Sequence, residues 1–392
     1  MRLRGAAAIL AGTVLAVFLF RLTIVRADPE SHWSQQFAPG DPAVLTATAM
    51  REVGLAAAAR KNPSSGTLEK IGELARKSPL AVEPFLVEGA LADKKGQFAV
   101  AAQLYREARR RDPRSVAAHY LLADLDLRTG DTQDGIRELA DLARLVPAVT
   151  IQLAPAIAKF SHSPGAADQL RNMFRSNPLL ERPVLSVLAQ DPFNASLILS
   201  VASASPSTAG PPAEWEEKLL DAMVALGQYA QAYSVWSKIT GQKVEGSGVF
   251  NPAFRRSNEP PPFNWNYPAT DAGVAEPENG GLRILFYDRE NAILAQQIII
   301  LPPGRYLLTV PVATNSGNPQ TLAWSIQCLP GKSKILNLPL SPTGGSGTVA
   351  GEFEVPAQGC AAQQIELDGN AEDSPTTADV QLGSLTLHRT GA

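Results

Sequence analysis

The side chains best suited to chemistry are alternating aromatic and amide residues in one short segment. They are Phe263, Asn264, Trp265, Asn266 and Tyr267. Aromatic rings stack on the apolar faces of sugars and amides bond sugar hydroxyls, so the segment is a candidate glycan site. Tyr287 is a further candidate, because it points away from its strand neighbour Phe286. Alternatively, Trp265 plugs the end of a hydrophobic core, since a Trp in a Pro-bounded strand usually packs inside.

Cys328 and Cys360 are the only cysteines in the sequence. Cys328 ends one predicted strand and Cys360 begins another. A bond between them would close a loop of about 33 residues and stabilise the fold by about 3–4 kcal/mol. A reducing compartment would favour two buried thiols, whereas the export segment described below favours the disulfide.

The remaining polar residues predict neither a metal centre nor an enzyme. The four histidines are isolated in sequence, and we expect surface or capping positions for them: His32, His119, His162 and His388. The sequence contains no catalytic motif, so we expect a non-catalytic protein that uses no cofactor. The net charge of −3 argues against nucleic acid as a partner, because nucleic-acid-binding domains carry a basic surface.

A period of 34 residues governs the middle of the chain. The residues that show it are Pro79, Pro113 and Pro147, together with Gly96 and Gly130. A fixed period of this length is typical of helical hairpins that bury their apolar faces against one another. We expect about five or six hairpins across residues 42–240. The first should begin at Asp41-Pro42, with an N-cap acid followed by Pro at the first helical position.

The unit at residues 82–114 resembles the tetratricopeptide repeat. Gly89 is the small residue where two helices approach, and Ala101, Tyr105 and Ala108 form the small–aromatic–small triplet of the second helix. The resemblance implies a concave groove that docks a protein partner. Its groove positions are Leu86, Asp93, Tyr120, Asp124 and Leu127. Alternatively these are packing or solvated positions, and the arginine-rich run 106–114 is a solvated outer face.

After about residue 245, two-residue alternation replaces helical periodicity. Leu282, Ile284 and Phe286, for example, share one face of a predicted strand. Eight or so such runs, separated by Gly and Pro, predict a two-sheet sandwich of jelly-roll type. In the last run the phase of alternation changes at Gly383-Ser384, which predicts a β-bulge there.

The C-terminal part also resembles a known kind of domain. Motifs such as NPAF at 251–254, GLRILFYDREN at 281–291, LPPGRYLLTV at 301–310 and FEVPAQGC at 353–360 occur in this order. They look like the carbohydrate-binding-like jelly roll that follows tetratricopeptide repeats in some exported proteobacterial proteins. The resemblance implies a role in exopolysaccharide or O-antigen production.

The N-terminus carries an apolar run, Gly5–Phe20, preceded by Arg2 and Arg4. Extended through Val25, it is long enough to cross the inner membrane as a single-pass anchor at residues 5–25, with the bulk of the chain in the periplasm. Alternatively it is a signal peptide cleaved near Ala27.

The expected organisation is therefore an anchor or signal peptide, a linker, helical repeats, a second linker and a β-sandwich. These segments span residues 1–27, 28–41, 42–240, 241–248 and 249–392. The leading functional hypothesis is a membrane-attached periplasmic scaffold whose repeats dock a protein and whose sandwich holds a polysaccharide. The alternative is a purely protein–protein envelope assembly factor with a structural sandwich.

Overall fold

The structure is a computed structural model. It describes residues 23, 25–203, 211–243, 248–278, 280–340, 347–373 and 376–390, with the backbone alone at 314 and 315. The chain divides after Leu153 into two compact units. The predicted anchor or signal segment lies almost wholly outside the described residues. Within them, no helix combines the length and the apolar character that a bilayer crossing requires.

The first unit is built from consecutive antiparallel helix pairs. Its helices are α1 (His32–Phe37), α2 (Pro42–Ala58), α3 (Ser65–Lys77), α4 (Glu83–Lys94), α5 (Phe98–Arg111), α6 (Val116–Thr129) and α7 (Thr132–Leu145). The predicted start is present, because the Asp41 side chain accepts a hydrogen bond from the Ala43 amide and Pro42 is the first helical residue. Ser64 and Ser115 cap α3 and α6 in the same manner.

The α4–α5 pair packs as the repeat pattern predicts. Ala101, Tyr105 and Ala108 are almost completely buried between α4, α5 and α6. A Cβ on Gly89 would lie only 2.4 Å from Cε1 of Tyr105, so the absent side chain makes room for the ring. Burial raises the pKa of Tyr105 to about 12.

The second unit begins within α8 (Thr150–Lys159) and continues with shorter helices. They are α9 (Ala166–Ser176), α10 (Glu181–Leu188), α11 (Ala195–Val201), α12 (Glu214–Ala225) and α13 (Tyr229–Thr240). Pro147, Pro178 and Pro192 each begin a 3₁₀ turn ahead of a helix, and this irregular spacing explains why the period slips here. The α12–α13 hairpin turns at Gly227, whose φ of +73° suits glycine.

Two antiparallel sheets complete the second unit. The strands are β1 (Gly273–Glu278), β2 (Gly281–Phe286), β3 (Ala292–Ile299), β4 (Gly304–Ser316), β5 (Leu322–Pro330), β6 (Ser333–Pro339), β7 (Gly347–Val355), β8 (Cys360–Gly369), β9 (Ala378–Leu382) and β10 (Thr386–Thr390). One sheet has the order β1-β2-β9-β4-β10, with β7 also paired to β4, and the other has the order β3-β8-β5-β6. The sheets enclose one hydrophobic core, so helical repeats followed by a β-sandwich are confirmed.

The last predicted strand is in fact two strands. β9 ends at Leu382 and β10 begins at Thr386, and both pair with the long strand β4. The change of phase at Gly383-Ser384 is therefore a break between strands and not a bulge inside one. Within this break, the Gly383 amide donates a hydrogen bond of 2.8 Å to the Pro311 carbonyl oxygen on β4.

A disulfide joins Cys328 near the end of β5 to Cys360 at the start of β8, with the two Cα atoms 4.7 Å apart. These strands are neighbours in the four-stranded sheet, and Cys328 itself is fully buried. The bond thus ties the ends of two adjacent strands that are 32 residues apart in sequence.

Candidate functional site

An open cleft of about 430 Å³ lies between α12 and the edge of the four-stranded sheet, wholly inside the second unit. Its volume is within the ordinary range for small-molecule sites. The sheet contributes β3 and β8, and a proline-rich segment before β1 forms one wall.

The outer face of β3 and β8 supplies amides to the cleft. In the antiparallel register Gln364 lies opposite Ile298, so the two side chains are on one face of the sheet. Gln364 donates from Nε2 to Oε1 of Gln296 at 2.8 Å. This bond leaves further amide donors and acceptors of both side chains available to a ligand.

The wall segment is held at the sheet edge by backbone hydrogen bonds. Asn266 and Gln296 exchange two bonds of 2.9 Å, and the Ile298 amide donates to the Pro262 carbonyl oxygen at 2.8 Å. From the other side, Trp236 on α13 donates from Nε1 to the Pro260 carbonyl oxygen at 2.8 Å. The hairpin and the sheet therefore fix the wall between them.

The helix α12 brings two carboxylates to the cleft. Glu217 and Asp221 are four residues apart and so lie on one helix face. Partial burial, together with the charge of Asp221, raises the pKa of Glu217. Partial burial also raises the pKa of Asp221. A hydrogen-bond donor placed beside these carboxylates would compensate for the hydration that they lose on burial.

The same sheet face stays polar away from the cleft. Glu366 lies opposite both Gln296 and Ser325 in the register, so the three form one row across the sheet. Burial, and next the charge of Asp368, raises the pKa of Glu366. The Ser325 hydroxyl is buried without a hydrogen-bond partner among the described residues.

Of the predicted aromatic and amide residues, Trp265 and Asn266 line the cleft. Trp265 is only 4% exposed, however, and its ring packs on Phe254 and Trp324 with centroid distances of 5.0 and 5.6 Å. Its Nε1 donates to the Asn251 carbonyl oxygen at 3.0 Å. Trp265 is therefore a core residue that offers the cleft no open face for stacking.

The other predicted glycan contacts are not gathered at the cleft. The Asn264 amide is buried and donates to the Ser257 hydroxyl and to the Glu259 carbonyl oxygen. Tyr267 packs against the core, and burial raises the pKa of its hydroxyl. Tyr287 is half-buried, with the Arg289 guanidinium 5.6 Å from its ring centroid.

The predicted protein-binding groove in the first unit is assembled only in part. Arg128 brings Asp93 and Asp124 together by hydrogen bonds of 2.6 and 2.9 Å. Tyr120 is 57% exposed and available to a partner, whereas Leu86 is buried in the α4–α5–α6 core. Leu127 packs in the α6–α7 turn, where a Cβ on Gly135 would lie 2.8 Å from its Cγ.

His119 does not occupy the surface or capping position expected for it. It is 4% exposed, and its Nδ1 lies 2.6 Å from Oε2 of the buried Glu138 on α7. Its Nε2 lies 3.0 Å from the Pro113 carbonyl oxygen. The reason is that α6 and α7 pack together, which brings side chains nineteen residues apart into contact.

Sequence reasoning missed the four side chains that give the cleft its polarity: Glu217, Asp221, Gln296 and Gln364. Two signals were present. The acids of α12 have helical spacing, and each of β3 and β8 carries a Gln-Gln pair among apolar residues. Such pairs interrupt alternation and place an amide on each face of the strand.

Comparison with known proteins confirms the helical repeats. The tetratricopeptide repeat family matches residues 94–159. Among curated proteins, the cellulose synthase 2 operon protein C of Komagataeibacter xylinus is 35% identical over 83 residues. That match covers 21% of this chain and 6% of the relative, so this chain spans only a small part of the relative's length.

Solved structures resemble each part of the chain separately. A CBM4 structure is 16% identical with a TM-score of 0.28, and the match covers 36% of this chain and 99% of that one. YrrB, a TPR protein with an unusual peptide-binding site, is 12% identical with a TM-score of 0.25, over 44% of this chain and 92% of that one. The carbohydrate-binding module CBM6cm-2 of Cellvibrio mixtus lichenase 5A, solved with cellotriose, is 14% identical with a TM-score of 0.22, over 32% of this chain and 92% of that one.

Proposed function

We propose that this chain is a non-catalytic binding and scaffold protein in polysaccharide production. Its helical repeats dock a protein partner, and its second unit holds a neutral glycan in the cleft between α12 and the four-stranded sheet. The observation that carries the proposal is the lining of this cleft, where Asn266, Gln296 and Gln364 face Glu217 and Asp221.

The lining matches a ligand rich in hydroxyl groups. Amides both donate and accept hydrogen bonds, and carboxylates accept them, so together they suit sugar hydroxyls. None of the described residues that line the cleft is a Lys or Arg, and two are acids. An anionic sugar would be repelled by these carboxylates, which favours a neutral glycan.

The similarity to a cellulose synthase operon protein supports a role in polysaccharide production. The tetratricopeptide repeats support a protein partner, and the exposed Tyr120 beside Asp124 is the surface we assign to it. The rival function is a purely protein–protein envelope assembly factor. One observation favours this rival: the aromatic rings of Trp265 and Trp324 pack against each other in the hydrophobic core.

The proposal also includes attachment to the inner membrane with the bulk of the chain in the periplasm, or export after cleavage near Ala27. It rests on the apolar run Gly5–Phe20 and on the Cys328–Cys360 bond, which an oxidising compartment would maintain. A phosphatase fusion placed after residue 40 reports the side of the membrane directly. Alkaline phosphatase needs disulfides that form only in an oxidising compartment, so this fusion should be active. A fusion that accumulates normally but is inactive would contradict this placement.

Affinity electrophoresis tests glycan binding. The full chain should be retarded in a native gel containing hydroxyethylcellulose, a neutral polymer, and much less in one containing alginate, an anionic polymer. Gln296→Ala combined with Gln364→Ala should abolish the retardation, because both amides are lost.

The matched control is Gln320→Ala, which removes an exposed amide elsewhere in the same unit. This variant should migrate as the unaltered chain does. Equal retardation of the double variant and the control, or retardation by no polysaccharide tested, would favour the protein–protein rival.

A further inference from the structure

The first unit contains a second concave site, about 890 Å³ in volume, where the end of α5, the start of α6 and α7 meet. Five arginines line it: Arg106, Arg109, Arg110, Arg114 and Arg144. One lining residue, Asp141, is acidic. The sequence suggested only a solvated run here, because the contribution of α7 comes from a separate part of the chain.

The buried carboxylate of Glu138 holds two of the side chains that line this arginine cavity. Arg109 donates from Nη1 to Oε1 of Glu138, whose other oxygen bonds His119. At the rim, Arg144 pairs with Asp141 at 3.1 Å. These contacts hold the guanidinium groups of Arg109 and Arg144 in place while using few of their donors.

The geometry does not favour a metal ion, although His119, Glu138 and Asp141 offer ligand atoms within 4.8 Å of one another. His119 already uses Nε2 on the Pro113 carbonyl oxygen and Nδ1 on Glu138. Both carboxylates are paired with arginines, and three further arginines surround the group. A cation would have to displace these contacts in a field of positive charge.

The spacing of the arginines indicates what they bind. Arg106 and Arg110 are one helical turn apart on α5, which corresponds to a rise of about 6 Å. In an extended peptide, side chains at alternate positions point the same way and are separated by about 6.6–6.8 Å. Guanidinium forks pair with carboxylates in a bidentate manner. Successive arginines therefore match alternate carboxylates of an extended acidic segment, whereas a single phosphate would engage only one or two of them.

One arginine of the cavity is free for such a ligand. Arg114 is exposed, and its side chain has no ion-pair partner among the residues that the structure describes. Arg106 is nearly free, because its closest carboxylate, on Asp126, is 3.8 Å away. Arg110 donates from Nε and Nη2 to Glu107 on its own helix. Its three other N–H groups stay available to a ligand carboxylate.

We infer that the arginine cavity is the docking site for an extended acidic segment of a protein partner. The inference rests on the proposed role of the repeats as a protein-docking unit and gives the partner its chemistry. The lining of this cavity includes neither Tyr120 nor Asp124, so the contact is distinct from the surface assigned to them above.

Fluorescence anisotropy of a labelled eight-residue peptide with alternating Glu and Ser tests the inference on the full chain. The peptide should bind with an affinity that falls as salt is added, and the matching Gln-Ser peptide should not bind. Arg114→Glu and Arg106→Glu should each weaken binding by about fivefold or more. Arg51→Glu, the same charge reversal at an exposed site on α2, is the matched control and should bind as the unaltered chain does.

Two results would overturn the inference: equal weakening by Arg51→Glu and Arg114→Glu, or displacement of the peptide by inorganic phosphate at the same concentration. Neither of these two results depends on the glycan cleft. Arg114→Glu should leave the retardation by hydroxyethylcellulose unchanged. A chain that binds the glycan and not the peptide would thus refute this inference alone.

Discussion

Replacing Gly89 by Ala should destabilise the first unit, although Ala is the better helix former. The new Cβ would lie 2.4 Å from Cε1 and 2.7 Å from Cδ1 of Tyr105. That ring cannot swing aside, because Tyr105 is 1% exposed between three helices. Overpacking of this kind lowers the free energy of unfolding by about 1–3 kcal/mol, and the higher helix propensity of Ala offsets about 0.5–1 kcal/mol of that. The net effect should be a loss of up to about 2.5 kcal/mol.

Gly54→Ala is the matched control for this substitution. Gly54 also lies inside a helix, α2, but a Cβ there would meet no atom within 4 Å. This variant should gain about 0.5–1 kcal/mol from helix propensity alone. Urea unfolding followed by far-ultraviolet circular dichroism measures both free energies. If Gly89→Ala proved as stable as Gly54→Ala, the close approach of α4 to Tyr105 would be wrong.

Three further perturbations test other contacts. Cys328→Ala with Cys360→Ala should lower the free energy of unfolding by about 3–4 kcal/mol, from the 32-residue separation; reductant should then have no further effect, and an unchanged melting temperature would argue against the bond. The raised pKa of Glu217 means that its contribution to stability is lost as pH rises above 4.5. Glu217→Gln should therefore gain stability relative to the unaltered chain as pH rises from about 4 to 7. If the denaturation midpoints of the two proteins differed by the same amount at about pH 4 and about pH 7, this reasoning would be contradicted. Tyr105→Phe removes a buried hydroxyl that has no partner among the described residues and should cost nothing or stabilise slightly; a loss above about 1 kcal/mol would indicate a missed hydrogen bond.

Local patterns predicted the parts of the fold that depend on neighbouring residues. Gly89 and Tyr105 were identified by repeat spacing, and β2 by alternation. The strand β3 was less evident, because a register shift between Ile293 and Ala295 disrupts its alternation. Leu294 and Ala295 are consequently both buried, which is not expected of a regular half-buried strand.

The two candidate sites could not be predicted, because each joins segments that are distant in sequence. In the cleft, Glu217 on α12 faces Gln296 and Gln364 across the sheet edge, far along the chain. The burial of Trp265 has the same cause, since its ring is enclosed by Phe254 and Trp324. Composition of the aromatic segment showed what these side chains can do, whereas packing decided which of them face solvent.

Hydrogen exchange of the full chain, with and without a saturating neutral cello-oligosaccharide, tests the central proposal most directly. The cleft between α12 and the four-stranded sheet should gain protection at three places: residues 214–225, the wall segment 261–266 and the strand β3. The first unit should exchange at an unchanged rate. Protection confined to the first unit, or no change anywhere, would contradict the assignment of this cleft as the glycan site.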